Sequence, residues 1–214
     1  MDPRSGDPVL AFADAVAFVR WLAAEHARAS VVWIKHAKKS SGVATVTWTE
    51  AVDVALCYGW IDGQAKSLDD DWYLQRYTPR RAASRWSKIN RERVERLIGG
   101  GRMRPAGLAE VERAKADGRW DAAYDSAATA TVPDDLAAAF ARNKRAAAAF
   151  AALDATNRYA VLHRLMTAKL PATRARRLAT FVKMLAAGKT LHPRRQAKAK
   201  AKVMVKVKAT ARRR

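Results

Sequence analysis

Cysteine and histidine are scarce in this chain of 214 residues, and their scarcity excludes several classes of protein. The single cysteine excludes an intrachain disulfide framework and a metal site built from clustered cysteines. The four histidines are scattered and form no sequence-local zinc motif. No apolar run approaches the roughly 18 residues that suggest a membrane span, and residues 1–8 lack the pattern of a signal peptide. These absences predict a soluble, cytoplasmic protein with no cofactor and no metal.

Acidic residues are also few, with 20 Asp and Glu against 41 Lys and Arg, so the formal net charge is +21. The excess lies in three segments: residues 76–104 carry +8, residues 154–193 carry +7, and residues 194–214 carry +10 without any acid. Residues 1–75 carry −3. Net charge bears on partners and solubility rather than on fold. The three basic segments predict an anionic partner, such as nucleic acid or acidic lipid headgroups.

The hydrophobic pattern predicts an α+β fold with a short sheet in the N-terminal half. β-branched and aromatic runs predict strands at residues 31–34, 60–61 and 72–77, with a turn at Asp62 and Gly63. Helices are predicted from residue 13 to about 26, and from Thr47, which forms a capping box with Glu50.

After Pro79 the pattern becomes helical, with Ile89, Val94 and Leu97 on the inner side of the first helix. Capping residues and prolines predict helix starts at Ser87, Pro105, Pro133, Asn143, Asp154 and Pro171. We therefore predict four regions along the chain. They are a mobile leader at 1–10, an α+β region at 11–80, an all-helical region at 81–193 and a disordered Lys/Arg-rich tail at 194–214.

Three segments carry motifs that resemble a known family. The motifs are ALCYGWIDG at 55–63 in the first segment (50–63), TPRR and SRWSKIN in the second (78–90), and AK with TRARR in the third (168–177). With GRMRPAG at 101–107, they resemble the bacterial YdeI/OmpD-associated family, also called bacteriocin-protection proteins, over about residues 10–193. The resemblance implies a role in tolerance of bacteriocins and cationic antimicrobial peptides, and association with an outer-membrane porin. It assigns no catalytic residue.

The first candidate site is a ligand-binding site around the GWIDG motif. Trp60 offers a stacking surface and Asp62 offers a hydrogen-bond acceptor. Gln64 and Tyr73 complete the candidate pocket. The alternative interpretation is a helix end, a short core strand and a turn, because Gly and Asp are turn residues.

The second candidate site is anion-binding and consists of Arg80, Arg81, Arg85, Trp86 and Lys88. Guanidinium groups bind phosphate through two hydrogen bonds, and an exposed tryptophan can stack on a base. The alternative is a connector whose arginines pair with the acidic run at 69–71 and whose tryptophan packs inward.

The third candidate site is the start of the last helix, where Lys169, Arg174 and Arg177 could clamp a phosphate or a carboxylate. Arg174 and Arg177 are three residues apart and share a helix face. The alternative is a solvated face opposite the apolar stripe of this helix.

Three hypotheses for function follow. The first is a non-enzymatic accessory protein of bacteriocin tolerance and envelope stress that binds an anionic or protein partner through a basic surface and tail. The second is a DNA- or RNA-binding protein that uses the middle basic segment and the tail, whose cations would bind phosphate polymers by counterion release. The third is a small-ligand enzyme or binding protein with a pocket near Trp60 and Asp62. No motif predicts a particular reaction.

Overall fold

The computed structural model describes residues 6–193 and has two compact units, which divide between Ala130 and Thr131. The predicted α+β class is confirmed, because the first unit contains a four-stranded sheet and the described part of the second is helical. The predicted disordered tail, residues 194–214, lies outside the described residues.

The sheet of the first unit has the strand order β1-β2-β4-β3. The strands are β1 (Val9–Leu10), β2 (Val32–Ala37), β3 (Trp60–Ser67) and β4 (Trp72–Pro79). β1 is parallel to β2, and the other two pairs are antiparallel. Residues 9 and 10, which the sequence assigns to a leader, therefore form an edge strand.

The turn predicted at Asp62 and Gly63 is wrong. Asp62 pairs with Tyr77 inside β3, and the register shifts between Asp62 and Ala65, so that Gly63 lies in an irregular part of the strand. Pairing with β4 continues the strand through two residues that favour turns in isolation.

Four α-helices of the first unit are α1 (Ala15–Glu25), α2 (Trp48–Cys57), α3 (Lys88–Gly99) and α4 (Pro105–Ala116), and a 3₁₀ turn spans Lys39–Ser41. The predicted capping box is confirmed: the Thr47 side chain accepts from the backbone N–H of Glu50, whose carboxylate accepts from the N–H of Thr47. The sequence pattern places α3 and α4 in the same helical region, 81–193, as the C-terminal helices. In the structure both contact α2 in the first unit.

The core of the first unit lies between one face of the sheet and the helices. Phe18 and Leu22 of α1, apolar residues of α2 and Trp60 and Tyr77 of the sheet are all buried there. Val94 and Leu97 of α3 are buried as predicted, whereas Ile89, which was also predicted to face inward, is 44% exposed. The side chain of Ile89, in the first turn of α3, therefore lies outside the core.

The described part of the second unit contains α5 (Asp134–Arg142), α6 (Lys144–Ala151), α7 (Ala155–Met166) and α8 (Pro171–Ala186). The predicted starts are confirmed: the side chains of Asn143 and Asp154 accept hydrogen bonds from the first turns of α6 and α7, and Pro171 lies in the first turn of α8. Its buried apolar residues include Leu136, Phe150, Leu162, Leu165, Phe181 and Leu185.

Gly107 allows α4 to pass directly against the end of α2. A Cβ atom at this position would overlap the carbonyl oxygen of Cys57 and would lie 2.8 Å from its carbonyl carbon. Both atoms belong to the backbone, which cannot rotate away as a side chain can. Only glycine fits between these helices without a backbone shift.

We expect Gly107→Ala to destabilise the first unit by about 1–3 kcal/mol, because inserting a methyl group forces the two helices apart. Gly99→Ala is the matched control: it lies at the end of α3, and a Cβ there would meet nothing within 4 Å. Urea denaturation followed by circular dichroism measures both variants. Equal stabilities for the two variants would contradict the close approach.

Candidate functional sites

Trp60 is part of the core and does not present a stacking surface. It is 1% exposed, its indole Nε1 donates to the carbonyl of His26 at 3.3 Å, and its ring meets that of Trp21 edge-on at 5.9 Å. The structure thus matches the alternative interpretation of this residue, a short core strand. Gln64 is exposed, and its backbone carbonyl accepts a hydrogen bond from the side chain of Gln75.

Asp62 is partly buried, and its carboxylate accepts a hydrogen bond from Nε1 of Trp48 at 3.1 Å. Burial raises the pKa of Asp62, and the hydrogen bond from Trp48 opposes that shift. Tyr77, which pairs with Asp62 across the sheet, is fully buried, and its hydroxyl has no hydrogen-bond partner among the described residues.

Tyr73 lines a cavity of about 750 Å³ beside the end of β2 and the start of β4, together with His36, Trp48 and residues 37–39, 42–47 and 49. His36 is 1% exposed, and its ring stacks on that of Tyr73 with the centroids 5.1 Å apart and the planes at 18°. The sequence prediction included Tyr73 but missed His36 and Trp48. The sequence did contain a signal for His36, because it shares the inward-facing positions of the strand with Val32 and Ile34.

Arg80 and Trp86 of the predicted anion-binding segment are interior residues. Arg80 is 5% and Trp86 is 2% exposed, and the guanidinium carbon lies 3.5 Å from the centroid of the indole ring. Nη1 of Arg80 also donates to the carbonyl of Arg85 at 3.2 Å. Trp86 therefore has no exposed ring face for a base to stack on, in agreement with the alternative interpretation in which it packs inward.

Burial lowers the pKa of Arg80 to about 10, partly offset by the charge of Glu110, so the guanidinium remains protonated at neutral pH. A second buried arginine, Arg119, donates to the carbonyl of Ser84 at 2.8 Å and to the carboxylate of Asp117. The two arginines thus hold the backbone of residues 84 and 85 from the interior. These arginines have a structural role, and the sequence pattern alone could not distinguish that role from anion binding.

Arg81, Arg85 and Lys88 are exposed, and Lys88 forms an ion pair with Asp125 at 2.8 Å. The alternative interpretation expected the arginines of this segment to pair with residues 69–71. Instead, Arg93 and Arg96 of α3 both bind Asp53 of α2, at 2.8 and 2.9 Å. Asp53 is 6% exposed and was missed, although an aspartate inside an apolar helix signals a buried partner.

In the second unit, Arg174 does not present a free guanidinium. Its Nε and Nη2 donate to the two carboxylate oxygens of Asp135 at 2.7 and 2.9 Å, and its Nη1 donates to the carbonyl of Leu165. Arg177 donates to the carbonyl of Arg164 at 2.6 Å, and Lys169 is exposed. The predicted clamp is thus partly occupied by groups of the protein itself.

Charge divides unequally between the units. Residues 6–130 contain 19 Lys and Arg and 16 Asp and Glu, a formal net charge of +3. Residues 131–193 contain 11 Lys and Arg and only 3 Asp and Glu, a net charge of +8. The basic segment at 76–104 therefore belongs to a unit with nearly balanced charge, and the excess of the described chain lies mainly in the second unit.

Two further features are absent from residues 6–193. No three His, Cys, Asp or Glu side chains in this range come together in a way that could hold a metal ion. None of the helices in it has the length and apolar character needed to cross a membrane.

Two family models match the chain in separate ranges. Residues 129–188 match the family described as Bacteriocin-protection, YdeI or OmpD-Associated, and residues 10–110 match a Domain of unknown function (DUF8412). The TRARR motif lies in the first match, whereas the ALCYGWIDG and SRWSKIN motifs lie in the second. No curated protein and no solved structure matches the chain.

The pair formed by Arg174 and Asp135 predicts a dependence of stability on pH. The hydrogen bonds from Arg174 hold the pKa of Asp135 below its ordinary value of 3.8. The unfolded chain therefore binds the proton more readily, and the stabilisation is present above that value and is lost as the pH falls through the folded-state pKa. We expect Asp135→Asn to lower the melting temperature at neutral pH, with the difference from the parent shrinking in acid.

Asp134→Asn is the matched control, because it removes the same charge from the same turn of α5 without removing a partner of Arg174. Its effect on the melting temperature should be smaller. A difference between Asp135→Asn and the parent that persists unchanged in acid would refute the role of the pair.

Proposed function

We propose that this chain is an accessory protein of bacteriocin tolerance that binds an anionic partner, because residues 129–188 match the family described as Bacteriocin-protection, YdeI or OmpD-Associated. The observation that carries the proposal is the net charge of +8 on residues 131–193. Cationic antimicrobial peptides would be repelled by this charge, so protection acts through the anionic partner and not through capture of the peptide.

The three acids of this part of the second unit do little to neutralise its cations. Asp135 is bound by Arg174, Asp134 lies in the first turn of α5, and Asp154 caps α7. Acids at these positions compensate the positive N-terminal ends of helices. Most of the 11 cations are therefore available to an external anion.

One exposed group is the α5–α6 cation cluster, which we define as Arg142, Lys144 and Arg145. All three are exposed, and none forms an ion pair with a carboxylate of the described residues. Lys144 and Arg145 occupy the first turn of α6, where the helix dipole disfavours cations. Lys144 and Arg145 therefore carry charge that does not stabilise α6, whereas Arg142 lies in the last turn of α5, where a cation is favourable.

A nucleic acid is the partner class that the surface favours. Proteins that lie on membranes insert apolar side chains into the headgroup region beside their cations. In residues 131–193, Leu170 is the only large apolar side chain that is exposed. A surface rich in Lys and Arg but poor in exposed apolar groups suits the phosphate backbone, where binding depends on release of counterions.

We expect the full chain to bind a double-stranded DNA fragment with an affinity that falls steeply as salt is raised. If about six cations engage, the slope of log affinity against log salt is near −5. The double variant Lys144→Glu/Arg145→Glu should weaken binding by about tenfold or more at low salt and reduce the slope by about 2. Fluorescence anisotropy over a salt series measures both quantities.

The matched control is Arg81→Glu/Arg85→Glu, which makes the same change in charge at exposed positions of the first unit. It should weaken binding far less. Equal weakening by the two variants would assign binding to net charge alone. Failure of the full chain to bind DNA at low salt, or binding only to phosphatidylglycerol vesicles, would overturn the nucleic-acid proposal.

The double variant in α6 should not fail by unfolding. Two glutamates in the first turn of a helix are favourable by about 0.3–1 kcal/mol each, where lysine and arginine are unfavourable. Its melting temperature is therefore expected to equal or exceed that of the parent.

A further inference from the structure

A groove of about 630 Å³ lies between α5 and α8 in the second unit. Asp135, in the first turn of α5, is bound to Arg174 near the start of α8, and residues further along both helices line the groove. The two helices therefore run in the same general direction on its two sides. The volume is in the range of pockets that hold small molecules.

Most of the groove is apolar. Leu178 and Val182 of α8 are partly buried and contribute the largest apolar side chains of the lining, which alanines from both helices complete. Ala175 and Ala179 are exposed, so a ligand can reach this surface from the solvent. Alanine side chains are short and allow a ligand chain to lie close to the helix backbone. From Ala175 to Lys183 the groove follows α8 for about 12 Å at the rise of an α-helix.

The cations of the groove lie at one end of it. Arg142 is in the last turn of α5 and Lys183 is in the last turn of α8, away from the pair that joins the starts of these helices. Both side chains are exposed, and the described residues that line the groove include no Asp or Glu. Asn143 lines the same end, and its Oδ1 accepts from the N–H of Ala146, which leaves its Nδ2 group to donate to a ligand.

A groove that is apolar along its length and cationic at one end matches a molecule with one apolar tail and one anionic head. We infer that it binds a single-chain fatty acid, with the carboxylate at the end that holds Arg142 and Lys183 and with the chain along Leu178 towards Ala175. Hydrogen bonds from guanidinium and ammonium groups to a carboxylate are charge-assisted and strong. Burial of the chain supplies the hydrophobic part of the affinity.

An acidic amphipathic helix of a partner protein fits this groove less well. Helices that bind in grooves place apolar side chains along several turns, with their charges on the flanking faces. The cations that line this groove are confined to one end, so carboxylates spread along a helix would find no partner beside Ala175 and Leu178. The distribution of charge therefore favours one anionic head group.

The test uses the full chain with decanoate and with probes that each change one feature of it. Acetate lacks the tail, decyltrimethylammonium reverses the head charge, octanoate shortens the chain, and a glutamate-rich amphipathic peptide replaces the tail by a helix. Isothermal titration calorimetry below the micelle concentrations measures binding. We expect decanoate to bind, octanoate to bind about tenfold more weakly because less apolar surface is buried, and acetate and decyltrimethylammonium to bind more weakly still.

Three outcomes overturn the inference. They are absence of decanoate binding at millimolar concentration, equal affinity for decanoate and decyltrimethylammonium, and binding of the acidic peptide in preference to decanoate. The last outcome would assign the groove to a partner protein.

Ala179→Phe should fill the groove and weaken decanoate binding by about tenfold or more, the affinity carried by about two buried methylene groups. Ala172→Phe is the matched control, because Ala172 is exposed in the same helix and does not line the groove. Similar melting temperatures of the two variants would show that the added ring leaves the fold intact. Equal weakening of decanoate binding by both would contradict the site.

Lys183→Glu should weaken decanoate binding by about tenfold or more, because it removes a charge-assisted hydrogen bond and repels the carboxylate. Arg176→Glu makes the same change in charge at an exposed position of α8 outside the groove, and its effect should be much smaller. An equal effect of both variants would attribute binding to net charge and contradict the proposed head-group site. None of these variants alters Lys144 or Arg145, so failure of the DNA test leaves this result unaffected.

Discussion

The direct contact between the end of α2 and the start of α4 determines where the polar groups of the first unit lie. The carbonyl of Cys57 accepts a hydrogen bond from the N–H of Arg104, and Gly107 passes against the same carbonyl. Gly59, two residues after Cys57, adopts a φ of 74° and turns the chain into β3. Its carbonyl accepts a hydrogen bond from the N–H of Arg80. A side chain at Gly59 or at Gly107 would push α4 and the end of α2 apart.

This junction places groups at both ends of α2. The strand β3, which begins after Gly59, brings Asp62 to the indole of Trp48, the first residue of α2. The hydrogen bond from the N–H of Arg80 to the Gly59 carbonyl fixes the start of the segment that ends at Trp86. The cavity beside Trp48 and the buried arginines therefore depend on the same backbone turn. Their positions follow from tertiary contacts between residues far apart in the sequence.

The same unit also uses part of the charge of the basic middle segment internally. Asp53 holds Arg93 and Arg96, and Lys88 is bound to Asp125. A buried carboxylate between two guanidinium groups is stabilised by both, so these two cations already have a partner inside the unit. The net charge counted along the sequence overstates the number of cations that the first unit offers to a partner, because some of them are already paired inside the unit.

Local signals were sufficient to predict most helices but not the polar contacts. Capping by Thr47 and Asp154 is decided within three residues, so these helix starts could be read from the sequence. The turn chemistry of Asp62 and Gly63 was overridden by pairing with β4, and the choice between a buried and an exposed Trp86 depended on Arg80. Likewise, no short-range pattern shows that Val46 returns to meet His36.

In the second unit, the first turn of α6 carries cations where the helix dipole disfavours them. The few acids of this unit lie at helix N-terminal ends, in the first turn of α5 and at the cap of α7. α6 instead begins with Lys144 and Arg145, although its own cap, Asn143, is a residue well suited to that position. Natural sequences that break one local rule while obeying its neighbours commonly do so at functional positions. An external anion near these side chains would relieve the repulsion from the helix dipole and would be attracted by the cations at the same time. Binding of an anionic partner and stability of α6 would therefore be favoured by the same contact.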